Sequence, residues 1–358
     1  MARERARRRP RSSRPRRRAR RKAPWWSRLP RDELLDVRLS DLGLRVEDSV
    51  VESRVAQLHR ELERAGLRFA PYVWLSTDWF TPSGVTGFAV PFYLAHPRLS
   101  RIESQHMLEV EGGSHDACMR LLRHETAHAL DHAYRLGRRK SWQDVFGRPG
   151  EIYRPSYVPR PNSRRYVLNL NNWYAQSHPV EDFAETFAVW LQPRSAWRRR
   201  YRGWPALRKL EYVDALMDEL RDKKPRLRTR ERPWSLPQLR ITLREYYERK
   251  QAHYGKEDRS GYDRDLKRFF SDDPVHRRRP LASTFLRQRR AALRRQVSTL
   301  TGQHAFVVDE VLKHMIARCR DLRLRLAHSE REAGLGAAVL LTMHAVRLSR
   351  MRHREYWR

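Results

Sequence analysis

A chain of 358 residues that carries 76 Lys and Arg against 42 Asp and Glu has a formal charge of +34. A field of that sign attracts polyanions, whether nucleic acid, acidic protein or anionic lipid headgroups, and does not choose among them. No stretch approaches the roughly 20 apolar residues that span a bilayer. The two cysteines, Cys118 and Cys319, lack CxxC spacing and argue against a disulfide framework or a zinc ribbon, so the expected location is cytoplasmic.

Residues 1–29 hold fourteen basic residues and one acid, Glu4, with three prolines and almost no apolar residue before Trp25. Such a segment cannot bury enough surface to fold alone and is expected to be a disordered Arg-rich arm. It is either a tether for a polyanion, nucleic acid or acidic protein, or a solubilising tail. It lacks the apolar core of an export signal. From Leu34 the pattern gives a helix through Val50–Leu62, then a strand-like stretch from Phe69 to Leu75. The β-rich run from Val85 to Ala95, with Pro91 in it, reads as an edge strand, either a place for a substrate strand to lie or a plain structural strand.

Gly112-Gly113-Ser114 supplies a turn and an N-cap, and Met119, Leu122, Ala129, Leu130 and Ala133 form an apolar stripe, which predicts a helix from Ser114 to Leu136. On it lies His124-Glu-Thr-Ala-His128. Positions i and i+4 share a helix face, so His124 and His128 can direct ring nitrogens at one metal ion, with Glu125 beside a bound water. His132 lies two turns from His124, too far to share that ion, and reads as a surface residue. Asp131 either supports a ligand histidine or is a solvated side chain.

Residues 141–172 are proline-punctuated and irregular and are placed at the cleft. A second helix follows His178-Pro179, with Phe183, Phe187, Val189 and Trp190 on its apolar side and Glu181 and Glu185 four residues apart on one face. A catalytic zinc site takes three protein ligands and leaves one position for water. A metzincin would place the third histidine at 134 and a glycine at 131, where this chain has Tyr134 and Asp131. One of the two glutamates can be the third ligand instead, and the other can accept the outer N–H of a ligating histidine. Glu181 has the alternative of a capping carboxylate in the first helical turn. Trp204–Met217 predicts a further helix, the charged residues 222–232 a linker, and the remainder a helical module that includes Phe306–Leu326 and Ala337–Leu348.

The HExxH helix followed by His178-Pro-Val-Glu-Asp-Phe-Ala-Glu-Thr-Phe-Ala resembles the glutamate-zincin (gluzincin) metallopeptidases, and within them a bacterial group of zinc-binding metallopeptidases defined largely by sequence. The motifs are also similar to the catalytic domain of anthrax-lethal-factor-type proteases. The resemblance covers about residues 30 to 225 and rests on motif order. It implies one catalytic Zn2+ held by His124, His128 and Glu181, with Glu125 as general base and Glu185 holding a ligand histidine. Tyr174 is placed where the lethal-factor-type enzymes carry an oxyanion-stabilising tyrosine, with an ordinary packed ring as its alternative.

The expected architecture is therefore α+β: an Arg-rich arm over 1–29, a zincin-like domain with a small twisted sheet over 30–225, and a basic helical module over 226–358. The expected function is that of a zinc metallopeptidase acting on a peptide or protein. The alternative is a catalytically silent basic binding or scaffold protein for nucleic acid or acidic partners.

Overall fold

The computed structural model describes residues 23–153, 160, 162–255 and 262–352. Residues 1–22 of the expected arm, and 154–159 and 161 of the proline-punctuated segment, lie outside the described residues. Order begins ahead of residue 30. Trp25–Arg28 forms a 3-10 turn in which Trp26 is fully buried, its indole N–H donating to the Leu42 carbonyl at 2.8 Å. A buried indole whose one donor is satisfied holds a chain end firmly.

The molecule is mostly helical with a small sheet. The first part runs α1 (Arg31–Leu35), α2 (Val50–Arg64), β1 (Tyr72–Ser76), β2 (Gly87–Pro91), α3 (Pro97–Met107), α4 (His115–Tyr134), α5 (Lys140–Phe146), α6 (Pro179–Leu191), α7 (Trp197–Arg200), α8 (Ala206–Leu220) and α9 (Leu243–Gly255). The second part runs α10 (Tyr262–Leu266), β3 (Phe270–Ser271), α11 (Ala282–Gln288), α12 (Arg290–Thr301), α13 (Ala305–Asp321), β4 (Arg325–Leu326) and α14 (Glu330–Arg352).

The helix carrying HExxH starts where Ser114 predicts: its hydroxyl accepts from the Ala117 N–H at 3.1 Å. It ends at Tyr134, two residues short of the expected Leu136, with Arg135 capping it in the left-handed conformation. In α6, Pro179 occupies the first turn and the His178 ring accepts the Val180 N–H, so the cap is a histidine.

β1 and β2 pair in parallel, Tyr72 with Gly87 through Ser76 with Pro91. The expected edge strand is covered. All five residues of β2 are buried, and on the side away from β1 the Ala89 N–H donates to the Phe80 carbonyl at 2.9 Å. Pairing through a residue nine positions upstream is long-range information that a local run of β-formers does not carry.

Two large apolar cores organise the chain. The first gathers residues from Trp26 to Tyr247, together with Phe306 of α13, and is crossed by α4 and α6, the most extensively packed helix pair. The second gathers Tyr262 to Leu348 from α10 to α14. Leu236, Leu243, Tyr246 and Tyr247 lie beyond the expected division at 226 yet belong to the first core. The charged segment ahead of them is pinned to that half: the Arg226 and Leu227 N–H groups both reach the Ala133 carbonyl, and Thr229 bonds Thr86. Polar composition reads as a linker, but backbone bonding to the core decides its course. Glu109 joins the two parts, accepting from the Ala305 N–H at 3.1 Å and lying 2.9 Å from the His304 ring. Among the described residues, no helix is long and apolar enough to cross a membrane.

Candidate metal centre

α4 and α6 lie against one another so that the motif face of each meets the other. Both helices are anchored in the first core, α4 through Leu122, Leu130 and Ala133 and α6 through Phe183, Ala184 and Phe187. With those faces fixed by apolar contacts, His124, His128, Glu181 and Glu185 are left on the seam. His124, Glu181 and Glu185 are buried, and His128 is half-buried.

Three ligand atoms converge. His124 Nε2 is 3.0 Å from Glu181 Oε2, His128 Nε2 is 3.3 Å from the same oxygen, and the two Nε2 atoms are 3.1 Å apart. Three ligands held tetrahedrally at about 2.0–2.1 Å from one ion stand about 3.3 Å from each other, so the triangle has the size a small divalent cation requires. The donor chemistry agrees: Glu181 Oε2 is buried without a hydrogen-bond partner, and Glu185 holding the Nδ1 proton of His124 leaves its Nε2 as a lone pair beside that oxygen. The buried group His124, His128 and Glu181 could hold a metal ion.

Neighbours lock these groups in orientation. His124 Nδ1 donates to Glu185 Oε1 at 2.8 Å, which leaves Nε2 as the atom that faces Glu181. Glu185, fully buried, also accepts from Asn169 Nδ2 at 2.8 Å and from the Leu170 N–H at 2.7 Å. On the other side Tyr153 donates its hydroxyl to Glu181 Oε1 at 2.7 Å and stacks on His178 at 3.8 Å. That bond turns Oε2 toward the histidines. Electrostatically the cluster is complementary. Burial works against a charged His124, but Glu181 and Glu185 raise its pKa well above the usual imidazole value. Burial likewise works against a charged Glu181, and His128 and His124 hold it well below the usual carboxylate range.

Glu125 follows His124 on α4 and is buried, with Oε2 accepting from the Thr81 hydroxyl at 2.8 Å. Burial pushes its pKa up, against the pull of His124, His128 and Thr81. Just before the ligand on α4, Arg123 makes a buried two-pronged bond to Glu61 of α2, at 2.8 and 2.9 Å. It fixes the helix by its back face.

The other expected residues fall as follows. Tyr174, on a 3-10 turn at Asn171–Gln176, has its ring 5.7 Å from that of His124. Asp131 does not support a ligand histidine: its Oδ1 accepts from the Gly137 N–H at 2.7 Å and caps the turn after α4. The turn that follows α4 brings a backbone N–H from beyond the helix within reach of that carboxylate. His132 donates to the Val85 carbonyl at 2.9 Å and ties α4 to the chain entering β2, so it is half-buried rather than on the surface. Cys118 is buried in the first core and is a free cysteine. Tyr153, Thr81, Asn169 and the Glu61–Arg123 pair were not signalled by any motif. Tyr153, Thr81 and Asn169 reach the centre through contacts with distant parts of the chain, Tyr153 and Asn169 from within the irregular segment expected at the cleft, and the Glu61–Arg123 pair holds the back of α4.

Compared with known proteins, the chain matches no family model, no curated protein and no solved structure.

Proposed function

We propose that the chain is a zinc-dependent metallopeptidase with a zincin-like first half, in which His124, His128 and Glu181 hold the ion and Glu125 is the general base. The observation that carries this reading is the triangle of His124 Nε2, His128 Nε2 and Glu181 Oε2, buried and closed by a carboxylate oxygen that has no donor. Two imidazoles and one carboxylate are the donor set in which zinc keeps one position open for water. Bound there, zinc would supply Lewis acidity, lowering the pKa of its water toward about 7 and polarising a substrate carbonyl.

The chain's own residues then do the rest. Thr81 holds one Glu125 oxygen and leaves the other to accept a proton from the attacking water and pass it to the leaving amine. Glu185 keeps His124 in the tautomer that presents Nε2. Tyr153 holds Glu181 in register, and the Tyr174 ring beside His124 is a candidate for bonding the oxyanion that forms on the attacked carbonyl. Peptide or protein amides are the proposed substrates.

The test joins metal content with turnover. Wild type and Glu125→Gln are expected to bind one zinc per chain, with Glu125→Gln slowing hydrolysis of a mixed peptide library by about 10²–10⁴-fold. His128→Ala and Glu181→Ala are expected to lose the metal. A wild-type chain that takes up no zinc on titration overturns the reading. Zinc uptake without hydrolysis of any library peptide removes the peptidase part of it.

A further inference from the structure

A small third core, formed by Val167, Val189, Trp197, Tyr201, Ala206 and Leu210, lies beside the C-terminal half of α6. Trp197 and Tyr201 point into it, and the Leu168 N–H donates to the Tyr201 hydroxyl at 3.0 Å. The Ala206 N–H donates to the Arg164 carbonyl at 3.1 Å, which joins the chain around residue 164 to the start of α8. With the apolar side turned inward, the outer side is arginine. Arg164, Arg165, Arg199, Arg200, Arg202 and Arg208 are all exposed, and among the described residues none has a carboxylate partner.

The surface lacks what would neutralise it. Between residues 160 and 208 the only acids are Glu181, Asp182 and Glu185, and all three are buried. Asp214, from α8, is taken by Arg198 and the Trp190 indole. Arg200 lies over the Tyr201 ring at 5.4 Å and Arg164 over Trp204 at 5.9 Å, which restricts two of the guanidinia. Arg165 and Arg208 also line a depression of about 240 Å³ with Lys209, whose ammonium pairs with Asp182, and with Asp144, which is paired with Lys140.

We infer that this arginine plate is a docking surface for the sugar–phosphate backbone of nucleic acid, read without regard to sequence. Several exposed, planar cations without carboxylate partners, carried by the segments around one small core, match a repeating phosphate, which each guanidinium can grip with two N–H groups. The surface does not fit a protein partner as well, because no large hydrophobic side chain between 160 and 208 is exposed among the described residues, and protein interfaces are built around an apolar centre. The inference is independent of the hydrolase reading and of the N-terminal arginines.

The experiment uses the full chain and a labelled mixed-sequence DNA duplex of about 20 base pairs, titrated by anisotropy between about 50 and 200 mM salt. Arg199→Ala/Arg200→Ala/Arg202→Ala is compared with Arg277→Ala/Arg278→Ala/Arg287→Ala, which removes the same charge from exposed positions of the second half. Each lost phosphate contact lowers the slope of log K against log salt by about 0.9, so the plate variant should lose about 2–3 units of slope and bind at least about tenfold more weakly at the lowest salt. The control variant should change little, and both should keep the wild-type circular dichroism. Equal losses in the two variants, no binding of the duplex by wild type, or a plate variant that loses poly-glutamate while keeping the duplex each overturn the proposal.

Discussion

One buried ionisable cluster of the first half is built differently from the paired charges that both halves contain, such as Glu61 with Arg123 in the first. In the second, Asp309 on α13 is nearly inaccessible, but Arg290 and Arg294 reach it from α12 with Lys313 close by, so every lone pair faces a cation supplied by the protein. His344 and Asp265 form another pair, 3.3 Å apart, under the Tyr262 ring stacked at 4.3 Å. In the first half, two histidines and a glutamate converge with no protein cation between them, and their outer atoms are held by Glu185 and Tyr153. A paired charge is a structural device, whereas ligand atoms that converge without a donor from the protein are the arrangement that could hold a metal ion. That contrast makes the α4–α6 seam the place where, among the described residues, a metal ion could be held.

The largest effect that tests this contrast is on the back of α4. Glu61→Gln leaves the Arg123 guanidinium charged and buried without its carboxylate, which costs about 3–5 kcal/mol when a buried pair is broken. Denaturant unfolding should show the first half, with the metal centre, melting well before the second. A single unshifted transition would mean that the pair does not hold the helix in place.

Next in size is the partner of the ligand histidine. Under the proposed zinc reading, Glu185→Gln retains one oxygen but brings an NH2 group toward Asn169 Nδ2 or the Leu170 N–H, both of which are donors. Zinc affinity measured by chelator competition should fall about 10–100-fold with the chain still folded. Unchanged affinity would show that His124 needs no outer anchor.

The three residues that could hold a metal ion were legible because most of their information is local, with the choice of Glu181 over Glu185 resting on the resemblance of the motifs. The i, i+4 spacing, Ser114 as cap and Pro179 in a first turn fix two helices and the side each presents, and apolar stripes then bring those sides together. What the sequence did not carry depends on distant chain. Phe80 covers β2, Tyr153 reaches Glu181 across 28 residues, and the charged segment around 226–231 looks like a linker until the Ala133 carbonyl and Thr86 are seen to hold it. Asp131, which the sequence left open, shows the converse, since a donor six residues away takes one of its oxygens.

The smallest effect belongs to the second half and has a defined pH window. Burial alone would raise the pKa of Asp309, but Arg290, Arg294 and Lys313 bring it below its ordinary value. A carboxylate with a depressed folded-state pKa binds fewer protons folded than unfolded at intermediate pH. Its contribution is therefore complete above the unfolded value near 3.9 and is lost as pH falls through the folded value. Asp309→Asn should lower stability by about 1 kcal/mol at neutral pH, a figure kept small because Arg290 and Lys313 are partly exposed to solvent. The gap between the variant and wild type should close as the pH drops below about 4. Thermal unfolding followed in the second half across pH 2–7 measures it, and a gap that stays constant with pH would assign Asp309 a packing role in place of an ionic one.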